Sequence, residues 1–238
     1  MKKYAFTLAE VLITLGIIGI VAAITMPVLI TNYQKQVTVE RLKKSFSVIS
    51  NAFVSSQYEN GDMNTWGMDN LGSVDDNYEN IISSFLKNYI IKYLDISVDC
   101  GLNCNLQTNI KRNRLNGKDW VWNSRFLYVV YLKDGTIVSF MIDNSGYVYQ
   151  LVRIYVDING NQKPNLSGKD IFTFKLAVNA NNAINMSGIT EAKMMNNRDI
   201  LLKDCRECCS KNSGDYAGDY CSGLIQYDGW KISKDYPW

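Results

Sequence analysis

Three groups of side chains have the types and spacings to do chemistry: six cysteines, an oxygen-rich loop, and a carboxylate inside an apolar run. The cysteines are Cys100, Cys104, Cys205, Cys208, Cys209 and Cys221. Cys205-x-x-Cys208-Cys209 is compatible with a metal knuckle or a redox pair, and an even count is equally a disulfide set. The loop from Asp157 to Asp170 gathers Asp157, Asn159, Asn161, Asn165, Ser167 and Asp170. Calcium takes about six to eight oxygens from such groups, which makes Asp157, Asn159 and Asp170 candidate calcium ligands. The loop is not an EF-hand, because Gly160 comes too early and no terminal glutamate follows. The alternative is a loop whose Asp and Asn side chains close turns on their own backbone.

The missing residues matter as much. The chain has no histidine, which removes the commonest general base, the usual zinc ligand and any Ser-His or Cys-His pair. With no Gly-rich phosphate loop either, the sequence reads as a non-enzyme. Its 25 basic and 23 acidic residues are scattered, for a formal net charge of +2. No basic block tracks a phosphate backbone, so no nucleic-acid partner is expected.

The carboxylate is Glu10. It lies in an apolar run from Phe6 to Ile30, preceded by Lys2 and Lys3. About 20 apolar residues span a bilayer as a helix, and the leading lysines favour a cytoplasmic N-terminus. A secretory signal would place its apolar stretch before an A-x-A-like cleavage site, and none follows this stretch. A plain membrane anchor leaves Glu10 unexplained, since a carboxylate near the bilayer centre costs roughly 2.5–3.5 kcal/mol. With the head on the non-cytoplasmic side, its cysteines lie where disulfides persist. The spacing then predicts a local Cys100–Cys104 pair and a link from Cys221 to the Cys205–Cys209 cluster. The remaining connectivity stays open.

The elements that must position these groups follow from periodicity. Val39, Leu42, Phe46, Ile49 and Phe53 form one apolar stripe of a helix that continues from the membrane segment to about residue 58 and stops at Gly61. Gly61 to Asn77 reads as a linker. Tyr78, Ile81, Ile82, Phe85, Leu86, Tyr89, Ile90, Tyr93 and Leu94 predict a second helix over about 75–94, with Asp76 and Glu79 resembling a capping box. Strands are predicted at Phe126–Leu132, Thr136–Ile142, Tyr147–Val156 and Ile171–Val178, with hairpin turns at Lys133-Asp134-Gly135 and Asp143-Asn144-Ser145-Gly146. The expected fold class is α+β: an antiparallel meander packed on the second half of the first helix. The aromatic tail from Cys221 to Trp238 reads as docked on the head, a surface contact site being the alternative.

Ala5-Phe6-Thr7-Leu8-Ala9-Glu10-Val11-Leu12-Ile13 resembles the class III signal of prepilins, G-F-T-L-x-E followed by about twenty apolar residues. The loop pattern D-x-N-G-x-x-x-P-N-x-x-G-x-D-x-F and the C-terminal ending are similar to segments of other pilin-like proteins. The resemblance implies cleavage between Ala5 and Phe6 and N-methylation of Phe6 by a prepilin peptidase. Glu10 then serves assembly, neutralising a neighbour's new amine inside an apolar filament. Pro27 falls where pilin helices often carry a proline, and is expected to break or loosen the helix. Ala5 departs from the glycine that the family prefers. The organisation implied is a leader at 1–5, a transmembrane helix at 6–30, a stalk helix at 31–58 and a head at 59–238 with a Cys-rich region at 205–238. Partners would be the peptidase, other pilin or pseudopilin subunits, an inner-membrane assembly platform and lipid. No cofactor is required, calcium apart. The implied place is the bacterial inner membrane with a periplasmic head, then a filament. That filament is a type II secretion pseudopilus or, alternatively, a surface pilus for adhesion, motility or DNA uptake. An anchored binding ectodomain that never assembles is the competing class.

Overall fold

In the computed structural model, the described residues are 7–66, 78–143, 151–178, 184–188, 197–203 and 205–238. The chain divides into two compact units, Met1–Val37 and Thr38–Trp238. Helix α1 (Leu8–Asn60) runs through both. Its N-terminal part carries exposed Leu, Ile and Val side chains and is long and apolar enough to cross a membrane. In the second unit α1 becomes one-sided, burying Val39, Leu42, Ser45, Ile49, Ala52, Phe53 and Ser56. Gly61 ends it with φ of +75°, a left-handed turn that glycine adopts without a Cβ clash, and its N–H returns to the Gln57 carbonyl.

Pro27 does not break α1, which is helical on both sides of it. A proline removes one backbone donor, so the Ala23 carbonyl loses its i+4 partner while the flanking turns persist. The helix predicted over 75–94 is shorter. Helix α2 (Tyr78–Tyr89) gives way at Ile90 to a tighter 3₁₀ turn over Ile91–Tyr93. Asp76 of the expected capping box lies outside the described residues. Ile82, Phe85 and Leu86 are buried, and Trp66 stacks on Tyr89 with ring centroids 4.8 Å apart.

The sheet holds β1 (Ile96–Gly101), β2 (Tyr128–Leu132), β3 (Ile137–Asp143), β4 (Leu151–Asp157), β5 (Ile171–Val178) and β6 (Ile184–Ser187) among the described residues. Strand order is sequential and every neighbouring pair is antiparallel, a meander. The fold is therefore α+β. Strands β2 to β5 stand where the alternation places them, while β1 and β6 had no clear sequence signal. Residues 144–150, which hold most of the predicted turn Asp143-Asn144-Ser145-Gly146 and the start of the strand predicted over Tyr147–Val156, lie outside the described ones. Side chains alternate between two covered faces. Val138, Phe140, Val152, Ile154, Phe172 and Phe174 join the core with α1, where Phe46 lies 5.3 Å from Phe174 between ring centroids. The opposite face, with Val129, Ile137, Tyr155 and Ile171, is covered by Trp120 and Trp122. Two short helices, α3 (Arg198–Leu201) and α4 (Cys221–Tyr227), complete the α-helices among the described residues.

Candidate functional site

The processing residues Ala5 and Phe6 lie outside the described residues. Glu10 lies inside them. The Thr7 backbone N–H and hydroxyl each donate to Glu10 Oε2 at 2.8 Å, and the Glu10 N–H donates to Thr7 Oγ1 at 3.3 Å. That is a reciprocal capping box, T-x-x-E, which satisfies donors at the start of α1 that have no partner within the helix. The carboxylate is thus held within its own chain at the N-terminal end of the apolar helix, and it remains exposed.

Asp157, Asn159 and Asp170 are brought together in the β4–β5 loop. Asp157 Oδ1 accepts from the N–H groups of Asn159 and Gly160, and Oδ2 from that of Asn161. The Arg112 guanidinium, fully buried, lies 3.6 Å from Asp157 Oδ2 and stacks 4.3 Å over the Trp122 ring. Asp170 accepts from the N–H groups of Leu166 and Asn165, both at 2.7 Å, and from Asn159 Nδ2 at 3.2 Å. Asn161 and Asn165 take positive φ, which asparagine tolerates better than most residues. Burial raises both carboxyl groups, Asp170 to about 6, against the backbone N–H bonds that lower them. Every carboxylate oxygen already accepts from an N–H donor, and a fixed cation stands beside Asp157. This is the geometry of a loop that closes on its own backbone, and Asn159 Oδ1, Asn165 Oδ1 and Ser167 Oγ within it are buried without a hydrogen-bond partner among the described residues.

The cysteines form three disulfides: Cys100–Cys104, Cys205–Cys208 and Cys209–Cys221. The last two shape a segment that carries Glu207 and Asp219 onto cations of the sheet, an arrangement that sequence reasoning missed. Arg153 on β4 and Lys175 on β5 are register partners and so point to the same face. Arg153 Nη1 lies 3.0 Å from Glu207 Oε1 and 3.3 Å from Asp219 Oδ2. Lys175 Nζ pairs with Glu207 Oε2. Arg114 Nη1 reaches Asp219 Oδ1 at 2.5 Å while its guanidinium lies 3.6 Å over the Trp120 ring, and Thr173 donates to the same oxygen. Burial raises Asp219 against the pull of Arg114 and Arg153. Burial would raise Glu207 too, but Lys175 and Arg153 draw it down to about 2. The available signal was one cation inside each of two largely apolar strands.

The tail is packed against the head. Tyr236 Oη, buried, donates to the Gly168 carbonyl at 2.6 Å, and Trp230 meets Phe46 with centroids 5.3 Å apart. Arg198 clamps it through Asp228, Asp235 and Ser233. In these clusters the charged groups pair with each other and with backbone groups.

A prokaryotic N-terminal methylation motif matches residues 1–26. A family of unknown function (DUF6613) matches residues 28–238. No curated protein and no solved structure matches the chain.

Proposed function

The chain belongs to the family of unknown function DUF6613 and is type IV pilin-like at its N-terminus, and from that premise we propose that it is a filament subunit, cleaved between Ala5 and Phe6 and N-methylated on Phe6. The observation that carries this reading is the methylation motif at residues 1–26, set at the head of a helix of 53 residues whose first part exposes apolar side chains. Such a helix is costly to leave in water, and in a membrane or a bundle of like helices its backbone is already satisfied. Extraction from the membrane into a helical bundle keeps the apolar side chains dry. Glu10 then exchanges its bonds to Thr7 for the charged amine of a neighbouring subunit, an exchange of hydrogen bonds for an ion pair in a dry core.

The proposed place is a type II secretion pseudopilus at the inner membrane, with the head in the periplasm. An oxidising compartment supports that side for the head, because six cysteines paired as disulfides persist there and not in a reducing cytosol. The proposed partners are the prepilin peptidase, further subunits and an inner-membrane assembly platform.

Intact-mass analysis of the protein from cells with and without prepilin peptidase tests the reading. The expected result is a chain that starts at methylated Phe6 only when the peptidase is present. A chain starting at Met1 in both strains would sink it and leave an anchored ectodomain. Shearing the same cells assigns the machine: a pseudopilus subunit stays with the cells, and a surface pilin comes off with the sheared fraction.

A further inference from the structure

Positive charge is concentrated directly after the apolar part of α1. Residues 31–44 hold Lys35, Arg41, Lys43 and Lys44 against one acid, Glu40, a net charge of +3. The whole chain carries +2, so the remainder is net negative. Arg41, Lys43 and Lys44 are exposed. Lys44 pairs with Asp134 at 2.7 Å, a surface ion pair of the kind that contributes little. No ion pair engages Arg41 or Lys43 among the described residues. Tyr33, 67% exposed, precedes them, and tyrosine suits the boundary between hydrocarbon and water.

Reach and spread decide what these charges face. At about 1.5 Å per residue, Lys35 lies about 8 Å and Lys44 about 21 Å beyond Ile30 along the helix. Helical side chains lean towards the helix N-terminus, here towards the apolar part, and the long stems of Lys and Arg carry their charges that way. A headgroup layer about 5–8 Å deep then meets the nearer charges and leaves the farther ones within a screening length of about 8–10 Å. At about 3.6 residues per turn, Arg41 and Lys43 point about 200° apart around α1. A protein partner on one side of the helix reaches one of them, whereas a headgroup surface that the helix passes through reaches both.

We propose that residues 31–44 dock on anionic phospholipid headgroups at the surface where the apolar part of α1 leaves the membrane. This rests on the membrane-anchored part of the reading above. Charge complementarity and continuity with the apolar segment select the occupant. Tyr33 sits at the hydrocarbon boundary, and Lys35, Arg41, Lys43 and Lys44 face the phosphate layer and the water beside it. The contact is held by charge instead of packing, so it weakens with salt and releases when a subunit is extracted, without opening the core of the head.

Amine acetylation of the full-length chain tests it, in nanodiscs of phosphatidylcholine alone and of phosphatidylcholine mixed with phosphatidylglycerol. Mass spectrometry reads the rate at each lysine, with the exposed Lys211 of the Cys-rich segment as reference. Acetylation of Lys43 relative to Lys211 should fall by roughly threefold or more in the anionic discs. About 1 M salt, where the screening length is near 3 Å, should remove most of that difference. Equal Lys43 rates in the two discs would overturn the contact: both fast would mean an uncovered stretch, and both slow would mean that a protein surface covers it. A chain that enters neither disc would overturn the anchor and this contact together. The discs hold no peptidase and no filament, so the two failures stay distinct. A chain starting at Met1 in both strains of the mass experiment would overturn the filament reading alone.

Discussion

Asp219 is fully buried and faces Arg114 and Arg153, and Glu207 beside it meets Arg153 and Lys175. Burying charges is expensive, and their attraction offsets the cost only where every member is matched. Removing one partner should therefore do more harm than the pair does good. The pH dependence follows from Glu207, whose carboxyl falls from an ordinary value near 4.5 to about 2 in the folded head. A lowered folded value means that the unfolded chain binds the proton more tightly. The stabilisation is complete above about pH 4.5 and is lost as pH falls towards 2. Asp170 runs the other way: its value is raised to about 6, so its contribution weakens as pH climbs from about 4 to 6. Glu207→Gln isolates the first effect. The gap in unfolding free energy between the unaltered chain and this variant should shrink by about 3 kcal/mol between pH 5 and pH 2. Denaturant titrations at both pH values measure it, and a gap independent of pH would mean that Glu207 is not held as an ion pair. Only the two cations in the strands were legible beforehand. Sequence periodicity says that Arg153 and Lys175 point to one face, but it does not say that the face is covered.

The larger elements were legible because their apolar patterns are long. The α1 stripe from Val39 to Phe53 and strands β2 to β5 stand close to their expected positions. The shorter elements were not. Strand β1 has register shifts against β2 and only partly buried side chains, so its Ile-Ser-Val-Asp-Cys-Gly carries a weak signal. Strand β6 has four residues and α3 four, too few for a period to show. Helix α2 was overextended because the 3₁₀ turn that follows it also buries apolar residues, Ile91 among them. The Cys-rich segment is shaped by cross-links instead of a pattern, and its two disulfides should differ in weight. Cys209–Cys221 spans 12 residues and Cys205–Cys208 spans 3. On the chain-entropy account, the longer closure constrains the unfolded chain more, about 3 kcal/mol against about 2. Paired serine replacements at Cys209 and Cys221 should thus destabilise the head more than the pair at Cys205 and Cys208. Equal losses would show that the shorter link acts through placing Glu207 instead.

At the scale of the molecule, one helix serves two units under different rules. From Leu8 to Ile30 its side chains are mostly apolar and exposed, and from Thr38 it belongs to the unit that contains the sheet. The boundary matters because burial on α1 begins at Val39. A fragment from Thr38 to Trp238 keeps every buried α1 residue and the whole described sheet. It should unfold in one cooperative step, with a melting temperature within roughly 3 °C of the full chain in detergent, the shift expected from about 1 kcal/mol in a domain of this size. A fragment that begins after Asn60 should fail. It lacks Leu42, Ile49 and Phe53, each at most 1% exposed, and also Phe46, which packs on both Phe174 and Trp230. Truncating a buried side chain of this size costs about 2–5 kcal/mol, so losing several exceeds the 5–15 kcal/mol by which most domains are stable. Calorimetry of the two fragments decides the matter. Cooperative melting of the shorter one would mean that the α1 stripe is an attachment to a head already complete, and that the helix contributes to assembly alone.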